Sequence, residues 1–158
     1  MKCSWVLPNL AFGSHPRVDE DFQQLKSEKI TAILSLQTDE DRGKAGIEGE
    51  RDAALDAGLA FSNIPIEDFN GGELRARLPA GVAELDRLLK QGHTVYVHCT
   101  VGVSRSPTVV AAYFQWCLGV ELLQVLIHLH ACRHCLPDGD AIQDARWGAA
   151  SASQLQPL

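Results

Sequence analysis

Cys99 stands between His98 and a glycine-centred segment that ends in Arg105 and Ser106, within the stretch VYVHCTVGVSRSP at 95–107. A cysteine packed in an ordinary core needs no such company. A thiol attacks as its thiolate, and a free cysteine, titrating near ~8.5, is mostly protonated at neutral pH. Positive potential and the N-terminus of a helix favour the thiolate. Thr100, Val101, Gly102, Val103 and Ser104 join an apolar run to a helical one. Gly102 permits a tight loop whose amide N–H groups turn inward as an anion nest. Arg105 adds a planar fork that grips two oxygens of one phosphate.

These residue types in this order describe a seat for a tetrahedral phosphate. Cys99 lies beneath it for in-line attack on phosphorus. The loop amides and Arg105 hold the oxygens on which transition-state charge is spread. A covalent phosphocysteine follows, and Ser106 is placed to hydrogen-bond the thiolate when water breaks that intermediate. His98 orients the loop through a ring N–H. Arg105 and the loop dipoles already neutralise the phosphate, so neither a metal nor another cofactor is expected.

Such a seat has to be carried by a strand and a helix, and the flanking sequence supplies both. HTVYVHC reads as a short buried strand, and SRSPTVVAAYFQWCL as a helix with Ser106 as its cap and Pro107 in its first position. Upstream, SWVLPNLAFGS reads as one or two strands about Pro8 and Asn9. PRVDEDFQQLKSEK reads as a helix with Pro16 in its first turn, and ITAILSL as a strand buried on both faces. DEDRGKAG reads as a polar loop, IEGERDAALDAG as a helix stopped by Gly58, and LAFSNIPI as a strand. Leu74, Leu78, Val82, Leu85 and Leu89 recur at helical spacing, with Pro79 predicting a kink or two abutting helices. VELLQVLIHLHAC and DAIQDARWGAA are two further helices. Strands alternating with helices predict a single α/β domain with a central, mostly parallel sheet flanked by helices. It spans 1–150, with a frayed tail at 151–158.

The 158 residues suffice for one domain with a core, and 46% of them are apolar. A net charge of −6 argues against nucleic acid as a main partner and leaves no basic membrane-binding patch. No apolar stretch approaches the ~20 residues of a membrane span, and the N-terminus lacks the apolar segment of a secretory signal. The expectation is a cytoplasmic monomer whose five cysteines (Cys3, Cys99, Cys117, Cys132 and Cys135) stay reduced.

HCTVGVSRS, with its His-Cys, five residues, Arg and Ser, resembles the signature of cysteine-dependent phosphatases of the dual-specificity type. The resemblance covers nearly the whole chain, from LPNLAFGS to DAIQDA. It is similar above all to the catalytic domain of plant phosphoglucan phosphatases of the starch-excess type, through EDFNGGELRARLPA, VYVHCT and CLPDGDAI. It implies the dual-specificity phosphatase fold and a general acid on a loop about thirty residues before the cysteine. Glu67 and Asp68 lie there, and Asp68, 31 positions ahead (99 − 68 = 31), is preferred. Gly71 and Gly72 would let that loop move or would simply make a turn. The phosphoglucan group's loop reads Cys-x-Ala-Gly-x-Gly-Arg. Here Val101 and Ser104 replace Ala and Gly, and VSRSP is nearer to protein-directed members.

The resemblance thus implies a dual-specificity protein phosphatase, with a phosphoglucan phosphatase as the alternative. Small phosphate esters or phospholipid headgroups form a third substrate class, less favoured without a basic surface. A phosphate-binding pseudoenzyme would need a damaged site, and Cys99, Arg105, Ser106 and Asp68 are all present. For sugar stacking, Phe69 and Phe114 or Trp116 are candidates, the latter two reading first as core. In HLHACRHC, His128, Cys132 and Cys135 invite a zinc reading. All candidates fall in one helical stretch without a second spaced pair, so an amphipathic helix is preferred. His15 and His93 read as solvated loop residues, Arg75 and Arg77 as a solvated helix face or a greeting for an anion, and Trp5 and Trp147 as packing.

Overall fold

The computed structural model describes residues 1–145 and Trp147. In chain order the elements are β1 (Cys3–Leu7), β2 (Leu10–Gly13), α1 (Asp19–Ser27), β3 (Ala32–Ser35), α2 (Asp39–Arg42), a single 3-10 turn (Gly43–Ala45) and α3 (Gly46–Asp56). Then come β4 (Ala60–Asn63), α4 (Gly71–Lys90), β5 (Val95–His98), α5 (Arg105–Leu118), α6 (Leu122–Cys132) and α7 (Gly139–Asp144). The five strands form one sheet in the order β1-β2-β5-β3-β4. Only the β1–β2 pair is antiparallel; β5 runs parallel to both β2 and β3, and β3 parallel to β4.

All four residues of β2, β3 and β5 are buried, as expected of strands covered on both faces. Their side chains alternate between two cores. Leu10, Phe12, Leu34, Val95 and Val97 pack with Leu78, Val82 and Leu85 of α4 and Val109 and Val110 of α5. Ala11, Ile33 and Tyr96 face the other way, onto Phe22 and Leu25 of α1 and Ala54 of α3. Burying each large aliphatic side chain is worth about 1.5–3 kcal/mol, so both helical layers are fastened to the strand that ends in His98.

The α/β reading and the mostly parallel sheet are what the structure shows. The differences are local. Pro16 lies outside α1, which begins at Asp19. The DEDRGKAG stretch is not a plain loop: Thr38 caps α2, accepting from the Asp41 N–H while the Asp41 carboxylate accepts from the Thr38 N–H at 2.9 Å. Four residues are too short for a hydrophobic period to show. Pro79 sits within α4 and does not divide it. In α5 the N-cap position is Ser104 and Pro107 is the third helical residue, still within the first turn where an N–H has no intrahelical partner. The Ser106 hydroxyl therefore does no capping. The 151–158 tail lies outside the described residues.

Candidate active site

The sheet's central strand delivers His98 and Cys99 at its carboxyl end, where open α/β sheets bind ligands. The loop 100–104 then turns into α5. Gly102 has φ +74°, and a Cβ there would lie 2.5 Å from the carbonyl carbon of Gly13 at the end of β2. The loop can seat itself against β2 only because this residue has no side chain. None of the amide N–H groups of Thr100, Val101, Gly102, Val103 and Ser104 is taken by an acceptor among the described residues. Cys99 is 2% exposed, and its Sγ lies 3.4 Å from Ser106 Oγ. That hydroxyl is also 3.4 Å from the Gly13 carbonyl.

Arg105 is buried and held on one side. Its Nη1 donates to Asp41 Oδ2 at 2.7 Å and to the Ile66 carbonyl at 2.8 Å. Nη2 donates to Thr100 Oγ1 at 3.1 Å and lies 3.2 Å from Asp68 Oδ2. Nε has no partner among the described residues. Among the described residues the Nε–Nη2 edge, which serves side-on bidentate pairing, thus meets only Thr100 and the carboxylate of Asp68, while Nη1 is anchored. Burial by itself would raise the Asp41 carboxyl; the Arg105 guanidinium and the Thr38 N–H outweigh it and hold the group below its ordinary value.

Of the two acid candidates, Asp68 meets Arg105 and Glu67 does not. Glu67 is tied at the surface, its N–H donating to Glu73 and its carboxylate accepting from Asn70. Asn70 caps α4 through the Glu73 N–H, so Gly71 and Gly72 are the helix's first turn. A cavity of about 100 Å³ lies between this acid loop and Ser104, Arg105 and Asp138. Phe69 stands fully exposed on its lining with φ +57°. Phe114 is core, edge-on to Tyr113 and His128, and Trp116 packs on Trp147.

Several residues at the site carry no local signal of their role. Gln37 Nε2 donates to Thr100 Oγ1 at 2.9 Å. His15 is not solvated: its N–H and its Nδ1 both donate to the Thr100 carbonyl, at 3.1 and 2.7 Å. Burial is the main reason its imidazolium is disfavoured relative to a free histidine. His98 is fully buried, with Nδ1 donating to the Cys99 carbonyl at 2.9 Å and Nε2 2.5 Å from Glu50 Oε1. Beyond α6, Arg133 Nη2 donates to the Val101 carbonyl and Nη1 to Lys2 O. The Leu136 N–H donates to the Val103 carbonyl at 2.7 Å. Among the other reading candidates, Arg75 is paired with Asp144 and His93 contacts Thr31. His128 contacts the Val6 carbonyl and the Cys132 thiol the Trp5 carbonyl. All five cysteines are unpaired. Burial pushes the thiols of Cys3, Cys132 and Cys135 up and that of Cys117 to about 11, so none of these four competes as a thiolate near neutral pH.

A family model described as "Dual specificity phosphatase, catalytic domain" matches residues 10–135. The chain is 36% identical over 152 residues to the phosphoglucan phosphatase LSF1, chloroplastic, of Arabidopsis thaliana, covering 93% of this chain and 25% of that protein. It is 29% identical over 132 residues to dual specificity protein phosphatase 22 of Mus musculus, covering 84% and 65%. It therefore spans a quarter to about two thirds of the length of these relatives. Among solved structures, the kinase associated phosphatase superposes with a TM-score of 0.77 at 19% identity, over 98% of this chain and 95% of the other. That likeness is one of fold. The match across 10–135, which encloses the loop 100–104 and the Asp68 loop, places this chain in the dual specificity phosphatase catalytic-domain family.

Proposed function

We propose that this chain is a cysteine-dependent phosphomonoester hydrolase working through a phosphocysteine, with phosphoproteins bearing phosphotyrosine or phosphoserine/threonine as its substrates. The observation that carries the reading is the Arg105 guanidinium. Its Nη1 is pinned, its buried Nε has no acceptor among the described residues, and unengaged loop amides precede it in the chain. A phosphate dianion supplies the acceptors that these donors lack.

In this reading the Cys99 thiolate attacks phosphorus, an S–P bond forms and the ester P–O bond breaks. Asp68 gives its proton to the leaving oxygen, then takes one from the water that cleaves the S–P bond. Phosphate at Arg105 displaces the Asp68 carboxylate from Nη2, and the freed group takes a proton from solvent before it faces the leaving group. The Ser106 hydroxyl, 3.4 Å from Sγ, supports the departing thiolate. Thr100, Val101, Gly102, Val103 and Ser104 offer their amides to the phosphate oxygens, and His98 orients the loop. The domain acts as a monomer in a reducing, cytoplasmic setting that keeps Cys99 usable.

A second reading, phosphoglucan hydrolysis, is favoured by Phe69: a fully exposed aromatic ring beside Asp68 is a platform for a sugar face. The plant relative's name is in line with it. Phosphate release is to be measured in parallel, with and without EDTA, from a phosphotyrosine peptide, a phosphothreonine peptide and solubilised phosphoglucan. Faster release from peptides supports the leading reading. Faster release from glucan, lost in Phe69→Ala, replaces it with the second. No release from any of the three overturns both.

A further inference from the structure

Five successive loop amides without acceptors need something to hold them in line, and it lies on the carbonyl side of the same peptide planes. The described residues contain no cis peptide. In a planar trans peptide the carbonyl and the N–H that follows it point in opposite directions, so a donor that ties a carbonyl aims the next amide away from itself. The Thr100 carbonyl accepts from His15, the Val101 carbonyl from Arg133 Nη2 at 3.3 Å and the Val103 carbonyl from the Leu136 N–H at 2.7 Å. These ties orient the N–H groups of Val101, Gly102 and Ser104. Two of the three come from one short segment, 133–136, directly after α6. Arg133 is seated there by design of its neighbours. Nη1 donates to the Lys2 carbonyl at 3.2 Å and reaches Ser4 Oγ at 3.5 Å, and the guanidinium carbon lies 5.9 Å from the centre of the Phe12 ring. A Cβ on Gly13 would stand 2.7 Å from Nη1, so that glycine makes room for the guanidinium. The acceptors are carbonyls and a hydroxyl rather than a carboxylate, and the two arms of the fork hold two separate segments of chain.

We propose that Arg133 is a positioning residue of the phosphate seat: by holding the Val101 carbonyl it keeps the Gly102 N–H turned to the phosphate, as Leu136 does for the N–H of Ser104. The 101–102 peptide is the one that needs the restraint. Thr100 is fixed by its side chain, whose Oγ1 accepts from Gln37 and Arg105, and Ser104 by its own carbonyl, which accepts from the Thr108 N–H and Oγ1. Gly102 has no side chain to hold it, and the freedom that lets it adopt φ +74° also lets the plane before it turn over at little steric cost. A turned plane presents the Val101 carbonyl oxygen to the phosphate in place of an N–H, which exchanges attraction for repulsion. Arg133 removes that alternative from 32 positions away, and Gly13 supplies the space in which it does so.

The inference rests on the loop 100–104 being the phosphate seat, and its test needs no turnover. In 15N-labelled, reduced wild-type protein, inorganic phosphate should move the amide protons of Gly102 and Ser104 downfield together. In Arg133→Met, which keeps the stem and loses the donors, saturating phosphate should still move Ser104 while the Gly102 response is lost. Phosphate affinity by titration calorimetry should fall about tenfold, the size of one hydrogen bond to a charged group. Loss of charge alone would weaken binding yet leave both responses intact at saturation, so a full Gly102 response in folded Arg133→Met overturns the proposal. If that variant fails to fold, Arg133→Lys is read in its place. Its single nitrogen does not span the Lys2 and Val101 carbonyls, so the Gly102 response should shrink relative to that of Ser104, and a wild-type pair of responses overturns the proposal equally. In the wild type, a Ser104 response without one from Gly102 sinks this inference alone, whereas silence from every loop amide sinks the phosphate seat, the proposed activity and the inference with them.

Discussion

Replacing Asp41 by Asn tests whether the anchoring of Arg105 matters to catalysis. The Asp41 carboxylate receives Nη1 at 2.7 Å, with the Ile66 carbonyl at 2.8 Å as its companion. A hydrogen bond to a charged group contributes about 1.5–3 kcal/mol, and one between neutral partners about 0.5–1.5. Asn keeps an acceptor at the same place, so the loss should be about 1–2 kcal/mol. At ~1.4 kcal/mol per decade, kcat/KM should fall about 5- to 30-fold. Nη1 then swings between Ile66 and the site, and the Nε–Nη2 edge no longer meets phosphate in one orientation. The assay is hydrolysis of an aryl phosphate at neutral pH, with a thermal melt to verify folding. A folded Asp41→Asn enzyme within twofold of wild type would refute the anchoring argument. The same residue makes an acid-stability prediction. Its carboxyl is held below the ordinary value in the folded state, so its contribution is complete above the unfolded carboxylate value and is lost as pH falls through the folded one. Denaturant midpoints of wild type and Asp41→Asn should therefore draw together only as pH falls below the ordinary carboxylate range, about 4; a gap that stays constant would contradict this.

Cys99→Ser should abolish phosphate release while still binding inorganic phosphate by titration calorimetry; substantial residual turnover would overturn the phosphocysteine route. Asp68→Asn should slow poor leaving groups at least roughly tenfold more than activated aryl phosphates, and equal losses would deny it the acid role. Gly102→Ala places a Cβ 2.5 Å from Gly13 backbone at φ +74°. It should cost roughly 2 kcal/mol or more of stability and nearly all activity, measured by melts and turnover; a wild-type-like variant would mean that the loop seats elsewhere. Peroxide should inactivate the enzyme reversibly through Cys99, and activity retained without reductant would argue against that.

The sequence made the surroundings of Cys99 legible because they are contiguous. His98 through Ser106 lie on one strand, one loop and one helix start, so type and spacing state the chemistry. Asp68 was reached through the family resemblance, and the structure adds its contact with Arg105. Asp41, Glu50, His15 and Arg133 were not legible, since each arrives from a distant element and none has a pattern of its own. Two faint signals exist. Thr38 with Asp41 three residues on is a capping box, enough to promote DEDR from loop to helix. Glu50 shares the stripe of Ile47 and Ala54, and an acid on an apolar stripe asks for a buried partner. Ser106 does not cap α5, which starts at Arg105, two residues earlier than Pro107 implied; its hydroxyl lies 3.4 Å from the Cys99 sulfur, where thiolate support requires it.

The supports of the phosphate loop also order events during synthesis. His15 bonds Thr100 across 85 positions, Ser106 meets Gly13 across 93, and Arg133 ties Lys2 to the Val101 carbonyl across 131. Contacts of such separation close late, after the loop-closure entropy of nearly the whole chain has been met. A ribosome-bound chain that has emerged only as far as α5 carries Cys99 and Arg105 but lacks the α6–α7 segment that braces them. The Val101 and Val103 carbonyls gain their partners Arg133 and Leu136 only when the segment after α6 has emerged, so the loop is braced last.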